Sequence, residues 1–180
     1  AMNALYRPGP MANIPEFIST SKNQKLLKSD LFMKGKISVQ DPSAGLVVQL
    51  VDPQKGENIV DICAAPGGKT HHIACLMNGN GVLVANEPND FRRNILKLNM
   101  KRCGVENIKY DLQKGESYVG DKFDRILLDV PCTGSGLIKG KTAKTKKLLK
   151  EWNPKVVAKY ARLQMKILER AYLNLKSGGK

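Results

Sequence analysis

From Asn58 onward, short apolar runs alternate with longer segments whose apolar residues recur at helical spacing. Asn58 to Ile62 reads as a buried strand and Thr70 to Met77 as a helix. Gly81 to Ala85 is a second strand. A helix follows over Asp90 to Cys103, with Phe91, Ile95, Leu98 and Met100 as its apolar side. Asn107 to Tyr110 is a weaker third strand, and Phe123 to Asp129 (FDRILLD) a strong fourth. A Gly- and Lys-rich segment separates it from a helix over Pro154 to Leu175, with Val157, Tyr160, Ala161, Gln164, Ile167, Leu168 and Tyr172 in register. Strand and helix in alternation predict an α/β fold: a parallel sheet with helices on both faces.

Upstream the pattern is thinner. Residues 1 to 21 carry three prolines and no periodicity. Lys22 to Lys36 is basic around Leu26, Leu27, Leu31 and Phe32, which predicts a short helix and turn. Asp41-Pro42-Ser43 is a helix start in which Asp41 or Ser43 can cap free amides. Leu46, Val47, Leu50 and Val51 then recur at helical spacing. The reading divides the chain into a basic extension, 1–36, and a core, 37–180. The chain runs out at Ser177-Gly178-Gly179-Lys180, a helix C-cap and the turn into another strand. The expectation is a sheet truncated before its last strands. The fourth strand would keep an exposed edge, to be completed by a missing segment or a partner.

The chain has 180 residues, 42% of them apolar, enough for one domain with a sizeable core. Thirty Lys and Arg against sixteen Asp and Glu give a net charge of +14. Such an excess suits a polyanionic partner, nucleic acid above all. No apolar stretch approaches the roughly 20 residues of a membrane span, so no membrane partner is expected. Cys63, Cys75, Cys103 and Cys132 lie far apart without a CxxC pair, so neither zinc nor a disulfide framework is indicated, and a reducing intracellular setting fits. His71 and His72 are sequence neighbours and point different ways from a helix, so they form no metal pair.

Chemistry concentrates after the strands. Asp61-Ile62-Cys63-Ala64-Ala65-Pro66-Gly67-Gly68-Lys69-Thr70 lies at the carboxyl end of the first strand, where open parallel sheets bind ligands. Its small residues allow close approach, and the following helix offers free N–H groups. GGKT resembles the end of a phosphate-binding P-loop, but that pattern needs a glycine where Cys63 stands. The dinucleotide pattern GxGxxG fails as well. Glu87, about 20 residues beyond the glycines, stands where such sheets hold ribose hydroxyls; alone it could equally balance a helix dipole. Asp111 falls at a third corner of the same pocket, or is simply a turn residue.

Asp129-Val130-Pro131-Cys132-Thr133-Gly134-Ser135-Gly136 follows the fourth strand at the same edge. It sets a carboxylate, a rigid proline and a thiol within four residues. Lys139, Lys141, Lys144, Lys146, Lys147 and Lys150 come next, either as a solvated face or as contacts to phosphates. Lys22, Lys25, Lys28, Lys34 and Lys36 could form a second patch. Contacts of this kind supply affinity, not sequence choice.

DICAAPGGKT, ANE with Arg92 and Arg93 behind it, and FDRILLDVPCTGSG together resemble the Sun-type family of RNA cytosine methyltransferases. GKISVQDPSAGLVVQL, Trp152-Asn153-Pro154 and Leu163-Gln164 resemble its flanking segments, so the likeness covers Lys34 to Lys180. It implies a Rossmann-like fold, S-adenosyl-L-methionine as cofactor, no metal, and 5-methylcytosine in ribosomal or transfer RNA as product. By that resemblance Cys63, Ala64, Ala65, Pro66, Gly67, Gly68 and Lys69 would cradle the methionine end. Glu87 would take the ribose hydroxyls and Asp111 would lie beside the adenine. Asp129 would stand between the cofactor and the target base, and Lys139, Lys141 and Lys144 would contact the RNA.

Carbon 5 of cytosine is a poor nucleophile until a thiolate adds at carbon 6. The family divides this work between two cysteines. The nucleophile belongs to a Thr-Cys motif expected beyond Lys180, so Cys132 would be the cysteine that assists release, and this stretch would be inactive alone. Two alternatives stay open. One is a DNA-type cytosine methyltransferase with Cys132 as nucleophile; the other is a non-catalytic module binding RNA or cofactor.

Overall fold

The computed structural model describes residues 7–8, 18–19, 23–138 and 142–180, with the side chains of Arg7, Pro8, Ile18, Ser19, Asn23, Leu137, Lys144 and Leu148 excepted. Two short strands, β1 (Arg7–Pro8) and β2 (Ile18–Ser19), pair antiparallel. They precede the small helices α1 (Asn23–Leu27) and α2 (Asp30–Met33). Arg102 ties this stretch to the remainder, donating to the carbonyls of Phe32 and Ile37 and stacking 4.0 Å above the Phe32 ring.

Helix α3 (Pro42–Val51) starts as expected, with the Asp41 carboxylate accepting the Ser43 amide. Then come β3 (Asn58–Asp61), α4 (Gly68–Met77), β4 (Val82–Asn86), α5 (Asp90–Arg102), β5 (Ile108–Asp111) and β6 (Arg125–Leu127). Helices α6 (Ala143–Glu151) and α7 (Pro154–Asn174) close the chain. The four strands β5-β4-β3-β6 form one parallel sheet in that order. Successive strand residues face opposite ways. Ile59 and Leu83 therefore pack with Val48, Ile73 and Met77 beneath α3 and α4. Val60 and Val84 pack with Phe123, Ile167 and Ala171 beneath α7. Helices do cover both faces.

Three helices turn only part of their expected apolar side inward. In α3 the buried positions are Gly45 and Val48, while Leu46, Val47 and Leu50 are exposed. In α5 they are Leu96 and Met100, and Phe91 is 74% exposed. Arg92 and Asn99 share that inner side of α5, because they donate to the carbonyls of Ala65 and Pro66. A stripe that carries polar anchors is invisible to a count of apolar residues. In α7, Ile167 and Ala171 are buried and Tyr160 and Gln164 half-buried, whereas Val157, Ala161, Leu168 and Tyr172 face outward.

The expected irregular stretch after β6 contains α6. The Thr142 hydroxyl accepts the Thr145 amide at its start, and Lys, Leu and Ala are good helix formers once so capped. The fourth strand is shorter than expected, with Phe123 bridging instead to Leu175. Nor is its outer edge bare. The Ile126 amide donates to Lys180 O at 2.9 Å and the Lys180 amide donates to Asp124 O at 3.0 Å, so the last residues run alongside β6.

Asn86, fully buried at the end of β4, holds three segments in place. Its Nδ2 donates to Ile62 O and Gln113 O, both at 2.9 Å, and its Oδ1 accepts the Gln113 amide. Its own carbonyl accepts the Ala64 amide. Asn86→Ala leaves two carbonyls and one amide without their partner, at a cost of about 2–4 kcal/mol. The shift in the urea midpoint, measured at constant slope, tests this.

Candidate active site

Parallel strands end at one edge, and connections leave β3 and β6 in opposite directions there. The register sets Asp61 level with Ala85 and Leu127, and Asn86 level with Asp111. The crevice between the β3 and β6 loops is the switch point at which open sheets take ligands.

The β3 loop is held from both sides. Gly67 has φ of +105°, and a Cβ there would stand 2.8 Å from both Leu96 Cδ1 and Met100 Cε, so the turn presses directly on α5. At Gly68, the first residue of α4, a Cβ would meet nothing within 4 Å, leaving open space at the helix start. Beneath the loop, Asp61 is buried, and its Oδ2 accepts the Thr70 hydroxyl at 2.8 Å. Its Oδ1 has no hydrogen-bond partner among the described residues. Burial pushes this carboxyl up to about 6, against the Thr70 hydrogen bond, which favours the ionised form. Burial also pushes the Cys63 thiol up to about 12, helped by the negative charge of Asp61 and Glu87. Cys63, half-buried, packs against the core cluster of Val60 and Ile62.

Glu87 lies just beyond β4, its side chain only 3% exposed. Its Oε1 accepts the Asn89 amide at 3.0 Å, and Oε2 meets Arg92 Nη1 at 3.3 Å. Arg92 also holds Ala65 O at 2.8 Å, so one guanidinium joins the carboxylate to the β3 loop. Asp111, half-buried at the end of β5, accepts the Leu112 amide and the Gln113 side-chain amide. Burial pushes the nearby Tyr118 hydroxyl up to about 12, and the Asp111 carboxylate adds to that rise.

Lys69 Nζ meets Asp129 Oδ2 at 2.6 Å, bringing the β3 loop and the Pro-Cys loop together across 60 residues of sequence. Cys132 is exposed, and its Sγ accepts the Gly134 amide at 3.4 Å. From α7, Gln164 donates to Pro131 O at 2.9 Å and pins the loop at the residue before the thiol. The expected residues Cys63 to Lys69, Glu87, Asp111, Asp129 and Cys132 thus share one edge. Lys139 and Lys141 lie outside the described residues, and Lys144 is described only as part of α6.

Asn86, Gln113 and Gln164 were not singled out as positioning residues by sequence. For Asn86 a signal existed, a polar residue closing the apolar run VLVAN. Gln164 was marked only as part of the Leu163-Gln164 likeness, and Gln113 sits in a loop with nothing local to mark it. Among the described residues, no group of three metal-ligating side chains converges, and no helix is long and apolar enough to cross a membrane.

The model of the 16S rRNA methyltransferase RsmB/F family matches residues 48–180. A probable ribosomal RNA small subunit methyltransferase B of Bacillus subtilis is 37% identical over 166 residues, 86% of this chain and 36% of that protein. The 26S rRNA (cytosine-C(5))-methyltransferase nsun-1 of Caenorhabditis elegans is 42% identical over 120 residues, 64% of this chain and 18% of its own. NSun6 from Pyrococcus horikoshii, solved with SFG, superposes with a TM-score of 0.75 at 32% identity, covering 85% of this chain and 38% of that one. The chain spans about a third of the length of the first of these relatives.

Two outcomes test the electrostatics. The Asp61 carboxyl titrates higher in the folded chain than in the unfolded one, so its ionisation costs stability as pH rises from about 4 to 6. Asp61→Asn should therefore gain on the parent between pH 4 and pH 7, by up to about 3 kcal/mol. Urea denaturation at both pH values measures the difference, and a gap that does not change with pH would refute the assignment. With a limiting alkylating agent at pH 8, followed by peptide mass mapping, Cys132 should be modified while Cys63 stays free.

Proposed function

Given that the chain belongs to the RsmB/F family of 16S rRNA methyltransferases, we propose that it holds the cofactor and base-facing loops of an enzyme forming 5-methylcytosine in ribosomal RNA. The observation that carries this reading is the Lys69–Asp129 ion pair, which joins the glycine loop to the Pro-Cys loop. A cofactor held by the first is thereby set against a base held by the second.

The residues fit S-adenosyl-L-methionine, of which the SFG bound to NSun6 is an analogue. When bound, it supplies a methyl group on a positively charged sulfur. Gly68 leaves the start of α4 open, so that free amides can meet a carboxylate there. Glu87 has lone pairs left after Asn89 and Arg92, and its oxygens can accept from two ribose hydroxyls. Since Arg92 covers that carboxylate, the guanidinium swings off Glu87 to admit the ribose and keeps its hold on Ala65. Asp111 lines the adenine side.

On the substrate side, the Asp129 carboxylate, kept in place by Lys69, accepts a hydrogen bond from the amino group of the cytosine and orients the base. The base must leave its stack to reach this edge. Cys132 is the exposed thiol of the pocket and serves release of the enzyme from its product. Gly134 and Gln164 set its position.

Calorimetric titration with S-adenosylmethionine tests the reading. Glu87→Gln keeps the side chain's size and removes its charge, and should weaken binding about tenfold to a hundredfold, the range for hydrogen bonds to an ionised acceptor. Unchanged affinity in a folded variant would remove Glu87 from the site.

A further inference from the structure

Asp111 and Glu87 are joined through the backbone. Asp111 lies level with Asn86 in the β4–β5 register, and the Glu87 amide donates to Asp111 O at 3.0 Å. A ligand that meets Glu87 with its ribose therefore brings its base toward Asp111, one strand spacing away, about 4.8 Å. The Asp111 carboxylate offers two oxygens with about four lone pairs. The Leu112 amide takes one on Oδ1 at 2.8 Å, and Gln113 Nε2 takes one on Oδ2 at 2.9 Å. The Tyr118 hydroxyl faces the same carboxylate. With a donor on each oxygen the plane of the group is fixed, and lone pairs are left for a ligand.

Gln113 is itself held at both ends. Its backbone amide and carbonyl pair with the Asn86 side chain. Its side-chain amide pairs with both backbone groups of Val119, Oε1 accepting the Val119 amide at 3.0 Å and Nε2 donating to Val119 O at 2.7 Å. Turning that amide over would set oxygen against the Val119 carbonyl and nitrogen against the Val119 amide. The backbone thus dictates its orientation, and the remaining Nε2 hydrogen is aimed at Asp111. Closing the loop between Gln113 and Val119 needs only the two bonds to Val119. The third is spent on a carboxylate at the ligand edge.

Adenine has one hydrogen-bond donor, its 6-amino group, so that is the group of the base a carboxylate can bind. Hypoxanthine, the deaminated base, carries an oxygen there and an N–H at the neighbouring ring nitrogen. A carboxylate free to turn could follow the donor from one base to the other. One held in plane cannot, and meets oxygen with oxygen. We propose that Gln113 is a positioning residue that fixes the Asp111 carboxylate on the 6-amino group, so that the site chooses adenine over hypoxanthine. The inference rests on the reading of this edge as the S-adenosylmethionine site and adds which residue sets its choice of base.

The test is calorimetric titration of the 180-residue chain with S-adenosylhomocysteine and, separately, S-inosylhomocysteine, read as a ratio of affinities. The parent should prefer the adenine compound about tenfold to a hundredfold, the range for a hydrogen bond to a charged group. Gln113→Met, of similar length but without the amide, should cut that ratio about fivefold or more, chiefly by a better hold on S-inosylhomocysteine. Gln113→Asn keeps an amide but is one methylene shorter and cannot span Val119 and Asp111 together, so it should lose the ratio as well. Either variant decides alone where the other does not fold, and urea midpoints report the structural cost separately. Affinities that fall in proportion, with the ratio kept, overturn the proposal and leave Gln113 as a loop contact only. Equal affinities in the parent overturn the choice of base and leave the cofactor reading standing. A folded parent that takes up neither compound overturns the cofactor reading and this inference with it.

Discussion

One buried amide organises the working edge of this sheet. Asn86 ends β4 between the loop after β3 and the loop after β5, and each of its polar atoms is spent on one of them. A carboxamide is suited to the place because it donates twice and accepts at the same centre, uncharged. An aspartate there could not satisfy the Ile62 and Gln113 carbonyls, and an apolar residue would leave them unpaired in the core. The positions of Cys63 to Lys69 on one side and of Asp111 on the other both follow from this residue.

Charge is distributed around that centre with some economy. Two ion pairs do the joining: Arg92 with Glu87, and Lys69 with Asp129. The partners of the second are 60 residues apart in sequence and those of the first only five, and each pair is open to solvent on one member. Both can therefore be rearranged by a ligand without stranding a charge in a dry core. Asp61 is the exception, a carboxyl sealed beneath the loop whose burial favours its proton. The two cysteines of the edge differ for the same reason. Cys63 is surrounded by negative charge and core, while Cys132 lies in the open on a loop pinned by α7.

Strands were the most legible part of the fold, because a run such as Asn58–Ile62, apolar on both faces, has few other uses. The gathering of the candidate site residues at one sheet edge was legible too, since glycines, acids and a Pro-Cys pair each followed a strand. Helix orientation was not. Phe91 and Leu98 looked like the inner side of α5, and the structure buries Leu96 beside the expected Met100, with Arg92 and Asn99 reaching the β3 loop from the same side of the helix. Helix α6 escaped notice because lysines dominate it and its cap, Thr142, gives only a weak local signal.

Residue order was sufficient for the class of fold, the order of its elements and the family, since those depend on periodicity and on contiguous motifs. The joining of those motifs was a matter of three dimensions. Asp129 meets Lys69, Gln164 meets Pro131, and Arg92 meets Ala65 across gaps of 60, 33 and 27 residues. Contacts between side chains remote in the chain depend on how helices rotate against the sheet. That rotation is chosen by the summed packing of the core and by buried polar groups finding partners, which no local stretch encodes.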